Sequence, residues 1–177
     1  MNNSEQNRNK VVAETPYLSL VDRDGWSHVE RKNSSGVVCI AALTEDREIV
    51  LIEQYRPPVD GNVIELPAGL SGDLAEHADE AFEAAARREL LEETGFQAET
   101  MVRKIDLASS AGLTNEVVTM FLAEGLEKIA LGGGDESEDI TVHEVPIDSV
   151  DDWLVEQVAD GKLIDARVHA GIYFLTK

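Results

Sequence analysis

The sequence predicts a mixed α/β domain, because short β-rich runs alternate along the chain with segments of helical periodicity. Residues 37–43 and 48–55 are rich in β-branched and aliphatic residues and are joined by a polar turn, a pattern typical of paired strands. At 177 residues the chain has the length of one domain with an ordinary core. In mid-chain, apolar residues at helical spacing predict a helix whose buried stripe comprises Phe82, Ala85, Ala86 and Leu90.

The N-terminal region is predicted to contain a tail and a group of short strands. Residues 1–10 are polar and are expected to form a mobile tail. Residues 11–35 have a short, strand-like pattern, in which Asp24 and Gly25 favour a hairpin turn. We therefore expect the main domain to occupy residues 36–177.

Proline and glycine residues set the limits of the later elements. Pro57 and Pro58 end the second strand of the main domain, and Pro67 closes a short strand at 63–66. Gly95 ends the mid-chain helix, which is predicted to begin near residue 79. The remaining predictions are strands at 101–107, 117–123 and 140–145, a glycine loop at 132–134, a helix at 149–159 with Trp153, Leu154 and Val158 buried, and a helix at 165–175.

Charge and cysteine content restrict the partners and the compartment. A formal net charge of −20 argues against nucleic acid and anionic membranes as partners, because both would repel the chain. No apolar stretch approaches the length of a membrane span. Cys39 has no second cysteine to pair with and lies in an apolar run, so we expect a buried thiol. With no signal-peptide core near the N-terminus, these features favour a cytoplasmic protein.

Three glutamates are concentrated in the last turns of the predicted mid-chain helix. Glu89, Glu92 and Glu93 are three and four residues apart, so they project to one side of the helix. Like charges placed in this way destabilise a helix unless a cation offsets them, and carboxylate oxygens suit Mg²⁺ and Mn²⁺. Arg88 precedes Glu92 by four residues and can pair with it across one turn. The alternative is an ordinary solvated acidic face, since the whole chain is acidic.

This segment resembles the Nudix box, the metal-binding loop-helix-loop of Nudix hydrolases. The box reads Gly, five residues, Glu, seven residues, Arg-Glu-aliphatic, one residue, Glu-Glu, one residue, Gly-aliphatic. Leu74 stands where the box has its first Gly, and the nearest similar glycine is Gly69, so we expect a lengthened loop over residues 70–79. The matching positions are Glu80, Arg88, Glu89, Leu90, Glu92, Glu93, Gly95 and Phe96.

Segments on both sides of the box resemble ADP-ribose and nucleoside-diphosphate-sugar pyrophosphatases. In the segment after the box, Ala111 replaces a proline of that group and Asn115 replaces an acidic residue. The resemblance spans about residues 35–165 and implies the Nudix α/β/α sandwich with a mixed sheet. It also implies a homodimer in which the N-terminal strands of one subunit help to build the other subunit's substrate pocket. The similar segments are residues 53–58, 65–69, 110–116 and 136–143.

The resemblance implies a divalent cation as cofactor, Mg²⁺ or alternatively Mn²⁺. Glu136 is expected to be the general base, although Glu136 and Glu138 could exchange roles, and from the residues alone both belong to an acidic surface loop. Arg88 and Glu93 are expected to belong to the catalytic set. The implied metal ligands are the carbonyl of Ala68 and the carboxylates of Glu89, Glu92, Glu93 and Glu138.

The same resemblance implies a set of substrate contacts. Arg56 offers the bidentate geometry that suits phosphate, although an arginine in this position is more often a surface ion-pair partner. Trp26 is expected either to stack on a purine, to contact a second subunit, or simply to pack. The implied substrate contacts are Trp26, Arg56, Glu65, Gly112 and Glu116.

The function implied by the resemblance is metal-dependent hydrolysis of a diphosphate linkage. ADP-ribose would give AMP and ribose 5-phosphate, and a sugar nucleotide such as GDP-mannose would give GMP and a sugar phosphate. The expected partner is thus a small nucleotide sugar. The alternatives are a Nudix hydrolase of another nucleotide class and a non-catalytic nucleotide-sugar sensor on the same scaffold.

Overall fold

The protein is described by a computed structural model, which covers residues 9–72, 81–134 and 139–177. Within these ranges the chain forms eleven strands and three α-helices. The strands are β1 Asn9–Glu14, β2 Leu18–Arg23, β3 Trp26–Arg31, β4 Gly36–Ala42, β5 Glu48–Arg56, β6 Gly61–Glu65, β7 Ala68–Ser71, β8 Phe96–Ala108, β9 Val117–Lys128, β10 Thr141–Pro146 and β11 Leu163–Ile164. The helices are α1 Phe82–Thr94, α2 Val150–Ala159 and α3 Ala166–Leu175.

Strands β1, β2 and β3 form a separate antiparallel sheet, which we call the N-terminal sheet. Asp24 and Gly25 connect β2 to β3 with φ values of 53° and 86°, the backbone that a tight hairpin turn requires. The predicted hairpin turn is therefore confirmed. β3 also touches the segment before β9, because the Val29 N–H donates to the Leu113 carbonyl at 2.8 Å.

Two four-stranded sheets make up the rest of the β structure. The first has the order β7-β4-β9-β8, with β4 and β9 parallel, and the second has the order β10-β5-β6-β11, with β6 and β11 parallel. Both sheets are therefore mixed, as the sequence resemblance implies. This topology places β7, which precedes α1, directly beside the central strand β4.

The side chains of β4 point alternately into two apolar clusters on opposite faces of the sheet. Val38 and Ile40 pack with α1, whereas Cys39 and Ala41 pack with the second sheet, α2 and α3. Helices thus cover the strands on both sides, and the predicted α/β/α sandwich is confirmed. The predicted burial of Cys39 is also confirmed, and this burial raises the pKa of its thiol to about 12.

Helix α1 begins at Phe82, later than the predicted start near residue 79. Ala81 has extended backbone angles of φ −68° and ψ 145°, so it precedes the first helical residue. The helix ends as predicted at Gly95, whose φ of 78° lets its N–H return to the Leu91 carbonyl at 2.9 Å. Ala85, Ala86 and Leu90 are buried, so the predicted apolar stripe is confirmed.

Other element predictions need correction. Residues 68 and 69 belong to a motif of the predicted segment 65–69, and residues 70 and 71 are predicted to start a loop. All four instead form β7, which pairs with β4. β8 and β9 are far longer than predicted, because their polar outer residues continue a hairpin ladder that hydrophobic pattern alone does not reveal. In α2 the predicted burial of Val158 is wrong, since it is 56% exposed and Val150, Leu154 and Gln157 form the buried stripe instead.

None of the helices in the described ranges is sufficiently long and apolar to span a membrane.

Candidate metal and substrate site

Helix α1 places a buried carboxylate against the backbone of β7. Glu93 is only 2% exposed, and one of its oxygens accepts a hydrogen bond from the Ala68 N–H at 2.8 Å. An ionised side chain is rarely buried unless it is paired or binds a cation. The residue before β7 is Pro67, whose carbonyl accepts from the Ile40 N–H at 2.8 Å, so this stretch of backbone is fixed to the central strand.

Glu89 lies one turn earlier on α1 and rests on Gly69. A Cβ atom built on Gly69 would overlap the carboxylate of Glu89, so only glycine leaves room for this approach. Gly69 immediately follows Ala68, which binds Glu93. Two carboxylates of α1 therefore meet two successive residues of β7, which explains why the helix and the Ala-Gly pair occur together in the sequence.

Arg88 forms ion pairs with both Glu89 and Glu92. Its guanidinium donates to Glu89 at 2.8 Å, to Glu92 at 3.0 Å and to the Leu70 carbonyl at 3.0 Å. The pairing of Arg88 with Glu92 that the sequence predicts is confirmed. Glu92 itself is exposed, whereas Glu93 is buried, so the expectation that all three glutamates share one side holds only loosely.

The donor set fits a hard divalent cation. The carboxylates of Glu89 and Glu93 and the carbonyl of Ala68 would supply oxygen ligands, which Mg²⁺ prefers, and Gly69 leaves the room that lets Glu89 approach β7. Within the described ranges, no three His, Cys, Asp or Glu side chains converge as a complete metal-holding group. Glu80, Glu136 and Glu138 lie outside those ranges, and the assignments of all these metal ligands stay predictions.

The glycine run before residue 135 is attached to the end of α1. The N–H of Gly133 donates to the Glu93 carbonyl at 2.8 Å, and that of Gly134 donates to the Glu92 carbonyl at 3.1 Å. A Cβ on Gly132 would come within 2.7 Å of the Gly95 nitrogen and still closer to Thr94. The sequence predicts a loop here, but not that its backbone is hydrogen-bonded to α1. Glu136 and Glu138 follow this attached segment and are themselves outside the described residues.

Two predicted substrate contacts, Arg56 and Glu65, pair with each other. Arg56 donates its Nε–H to Glu65 at 2.8 Å, and a second guanidinium nitrogen lies 2.6 Å from the same oxygen. The other oxygen of Glu65 faces Arg167 of α3 at 3.8 Å. Glu65 is 5% exposed, whereas Arg56 is partly open to solvent. Arg167 was not predicted as a partner of Glu65, because the two residues are more than a hundred positions apart in the chain.

The other predicted substrate contacts surround the loop at residues 110–116. The indole N–H of Trp26 donates to the Gly112 carbonyl at 3.2 Å, while the ring is 65% exposed. Glu116 accepts from Arg31 of β3 at 2.8 Å. The chain's own N-terminal sheet therefore touches this loop, and Arg31 is a further residue that sequence reasoning missed.

Two clefts of about 320 Å³ each flank that loop. One contains Arg31, Phe82 and Glu116 at the beginning of α1, and the other contains Arg23, Trp26 and His28 on the N-terminal sheet. Asn115 lines both. Neither cleft is lined by Glu89 or Glu93, so the predicted substrate residues fall into two groups, one around the loop and one beside Arg56.

Comparisons with known proteins identify the family of the chain. Residues 32–165 match the NUDIX domain family. A methanol dehydrogenase activator of Bacillus methanolicus is 35% identical over 133 residues, which cover 74% of this chain and 69% of that protein. An ADP-ribose pyrophosphatase of Bacillus subtilis is 33% identical over 144 residues, covering 79% and 71%. A GDP-mannose pyrophosphatase of Cronobacter sakazakii is 32% identical over 183 residues, covering 93% and 91%.

A solved structure shares the fold. The crystal structure of an ADP compounds hydrolase superposes with a TM-score of 0.64 at 22% sequence identity, covering 82% of this chain and 80% of that one. At this identity the likeness concerns the fold alone. The family match covers most of the chain, and the sequence motif, the fold and the position of the α1 carboxylates are consistent with it. The chain therefore belongs to the Nudix hydrolase family and acts on diphosphate linkages.

Proposed function

We propose that this enzyme hydrolyses the diphosphate linkage of ADP-ribose or of a nucleoside diphosphate sugar such as GDP-mannose. The products are a nucleoside monophosphate and a sugar phosphate. The observation that carries this proposal is the meeting of Glu89 and Glu93 with Gly69 and Ala68, which concentrates oxygen ligands at one point of the fold. Similarity to proteins named ADP-ribose pyrophosphatase and GDP-mannose pyrophosphatase supports the choice of substrates.

Glu89 and Glu93 are the principal ligands in this proposal, with the Ala68 carbonyl, Glu92 and Glu138 as further ligands for Mg²⁺ or Mn²⁺. A bound divalent cation neutralises phosphoryl oxygens and makes a nearby water molecule more acidic. Arg88 holds Glu89 and Glu92 in place through two hydrogen bonds, which offsets the repulsion among the glutamates.

The chemical step needs a base and an oriented diphosphate. Glu136 accepts the proton as the oxygen of water bonds to phosphorus and the bridging P–O bond breaks, with Glu138 as the alternative base. The bridging oxygen leaves as part of the product phosphate. Arg56 contacts the diphosphate, since its guanidinium is held by Glu65 and remains partly exposed.

The two clefts beside the 110–116 loop hold the remainder of the substrate in this proposal. The hydrogen bond from the Trp26 N–H to the Gly112 carbonyl holds the indole in place, and the ring remains exposed. It therefore offers an aromatic face on which a base can stack. Glu116 offers carboxylate oxygens to ribose or sugar hydroxyls from the other cleft, which it shares with Arg31. The roles given to Trp26 and Glu116 need only one chain, because the N-terminal sheet contacts the 110–116 loop of the same chain.

A substrate panel tests the proposal. Release of phosphate monoester is measured with ADP-ribose, GDP-mannose, UDP-glucose, NADH and diadenosine polyphosphates, each with Mg²⁺, with Mn²⁺ and with EDTA. We expect turnover of ADP-ribose or a sugar nucleotide that EDTA abolishes. Cleavage restricted to diadenosine polyphosphates or NADH would instead identify another Nudix specificity.

A second candidate is a non-catalytic nucleotide sensor, favoured by similarity to a protein named methanol dehydrogenase activator. The same panel separates the two functions. A sensor would show ligand-induced thermal stabilisation with no product from any nucleotide. The enzymatic function is better supported, because α1 carries the three box glutamates and a sensor has no need of them.

A further inference from the structure

We propose that Arg167 is a positioning residue for the substrate diphosphate, acting on Arg56 through the buried carboxylate of Glu65. This inference rests on the proposed function, in which Arg56 contacts the diphosphate. Arg167 lies on α3, outside the part of the chain that resembles the family's motifs. Its effect on the substrate would be indirect, since it faces Glu65 rather than the open side of Arg56.

The two oxygens of Glu65 face two different arginines. Two guanidinium nitrogens of Arg56 lie 2.8 Å and 2.6 Å from Glu65 Oε2. A guanidinium nitrogen of Arg167 lies 3.8 Å from Glu65 Oε1. The Glu65 side chain is almost fully buried, so a missing partner would leave part of its charge uncompensated. Arg167 therefore completes the electrostatic environment that keeps the Glu65 carboxylate turned toward Arg56.

Arg167 is itself held firmly. Its guanidinium donates two hydrogen bonds to Asp165 at 2.8 Å and 2.7 Å, and Asp165 caps α3 by accepting from the Arg167 backbone N–H at 2.7 Å. The Asp165 N–H donates in turn to the Ile64 carbonyl at 2.9 Å, next to Glu65. The start of α3 is thus joined to the end of β6, and the guanidinium has little freedom to move away from Glu65.

The other side of Arg56 is available to a ligand. An arginine has five N–H groups, and the pair with Glu65 uses two of them. In the ranges 9–72, 81–134 and 139–177, no further acceptor is bonded to Arg56. Glu65 precedes Ala68 by three residues, a span of at most about 11 Å, and Ala68 binds Glu93. Arg56, held by Glu65, and Glu93, held by Ala68, are thus attached to positions of the chain that are three residues apart.

Variants of the full-length protein test this role. The Kd for ADP-ribose is measured by titration, and KM and kcat with Mg²⁺, for Arg167→Met, Arg56→Met and the double variant. We expect Arg167→Met to raise Kd and KM about tenfold and to change kcat less than about twofold, because a misoriented Arg56 weakens binding before chemistry. In the Arg56→Met background, Arg167→Met should add nothing to the loss.

Two further variants complete the experiment. Arg167→Lys retains a positive charge beside Glu65, so its Kd should lie closer to the native value than that of Arg167→Met. Arg47→Met removes an exposed arginine that pairs with Asp148 at 3.3 Å, and it should leave Kd unchanged.

Independent, additive losses in the double variant would overturn the positioning role while leaving Arg56 as a phosphate contact. A Lys variant as weak as the Met variant would overturn the compensation of charge at Glu65. If Arg56→Met binds ADP-ribose normally, the phosphate contact assigned to Arg56 fails, and the role of Arg167 fails with it.

Discussion

Glu93 combines two properties that rarely occur in one side chain: it is a carboxylate and it is almost completely buried. The Ala68 N–H compensates one of its oxygens. Since a glutamine oxygen accepts the same hydrogen bond, the variant Glu93→Gln should keep the fold while losing the negative charge that a cation requires.

We expect Glu93→Gln to lower kcat/KM for the best substrate of the panel by at least about 100-fold, with a small change in thermal midpoint. Glu83→Gln is the matched control, because Glu83 lies on the same helix but is exposed and pairs with Arg87 at 3.1 Å. Native activity in Glu93→Gln would exclude Glu93 as a metal ligand.

Gly69 is required for space rather than for an unusual backbone angle. Gly69→Ala would place a methyl group where the Glu89 carboxylate lies, so Glu89 would have to leave the site. We expect a loss of Mg²⁺ affinity of about 10- to 100-fold, measured as the Mg²⁺ concentration for half-maximal activity. In the control Gly61→Ala the new methyl group meets only the Val59 carbonyl, at 3.8 Å. An unchanged Mg²⁺ requirement in Gly69→Ala would contradict the position of Glu89.

Sequence reasoning reached these residues because their spacing is local. Glu89, Glu93 and Gly69 belong to a short motif whose positions relate directly to helix turns and to one strand. Arg31 and Arg167 could not be found in this way. Each pairs with a glutamate 85 or more positions away, and only the folded chain brings the partners together.

At the level of elements, the end of α1 and the glycine run act as one unit. Gly95 and Gly132 approach so closely that neither has room for a side chain, and both have positive φ. The run joins β9 to the segment that carries Glu136 and Glu138, so its attachment fixes one end of that segment relative to α1.

Gly132→Ala should therefore destabilise the protein by about 2–4 kcal/mol, because the new methyl group meets backbone atoms that cannot move aside. Gly161→Ala is the control, since Gly161 also has positive φ but has open space around it, and we expect a loss of only about 1 kcal/mol. Urea unfolding measures both. Equal losses would show that backbone angle alone, without the contact to Thr94, determines the effect.

The elements were predicted best where one face is buried and a turn signal is present. The hairpin at Asp24 and Gly25, the apolar stripe of α1 and the end of α1 agree with the structure. The outer parts of β8 and β9 were missed, because polar residues alternate there with the few apolar ones. Phe96 and Ala98 of this part of β8 are nevertheless buried in the apolar cluster that includes residues of α1. The burial of Val158 in α2 was predicted wrongly, because the helical spacing of apolar residues does not show which of two apolar faces packs against the sheet.

At the scale of the whole molecule, Glu53 joins four parts of the chain. It accepts hydrogen bonds from Lys162 at 2.7 Å and from Asn62 at 2.8 Å, and it lies 3.0 Å from a ring nitrogen of His143. Burial raises the pKa of Glu53, but the hydrogen bonds from Lys162, Asn62 and His143 outweigh this effect, and the pKa lies below its ordinary value of 4.5.

A lowered pKa means that ionised Glu53 stabilises the fold above about pH 4.5, and that this contribution is lost as the pH falls through the lower, folded-state value. Glu53→Gln should therefore unfold more easily at pH 7, by about 1–3 kcal/mol, and should approach the native protein in acid. Urea titrations from pH 3 to pH 7 measure the difference, with Glu45→Gln as an exposed control. A difference independent of pH would rule out a role for the charge.

The N-terminal sheet bears on the oligomeric state. Val11, Val12 and Leu20 on this sheet, and Tyr17 beside it, expose large apolar surfaces in the single chain, a pattern associated with protein contacts. We expect a homodimer through this sheet, measured by light scattering after gel filtration. Val12→Glu, which places a charge on the exposed strand β1, should shift the mass toward the monomer. A native protein that stays monomeric at high concentration would contradict the proposal.

Cys39 gives the molecule a practical property. Cys39 lies on β4 between β7 and β9, and its thiol is fully buried in the core with a pKa of about 12, so alkylating reagents meet almost no thiolate in the native state. Spectroscopic labels can therefore be attached to a cysteine introduced at the surface without first removing the natural one. Because the Cys39 thiol is buried in the native state, it can be alkylated only when the protein unfolds locally or globally. The rate of its alkylation therefore measures how often β4 becomes exposed to solvent.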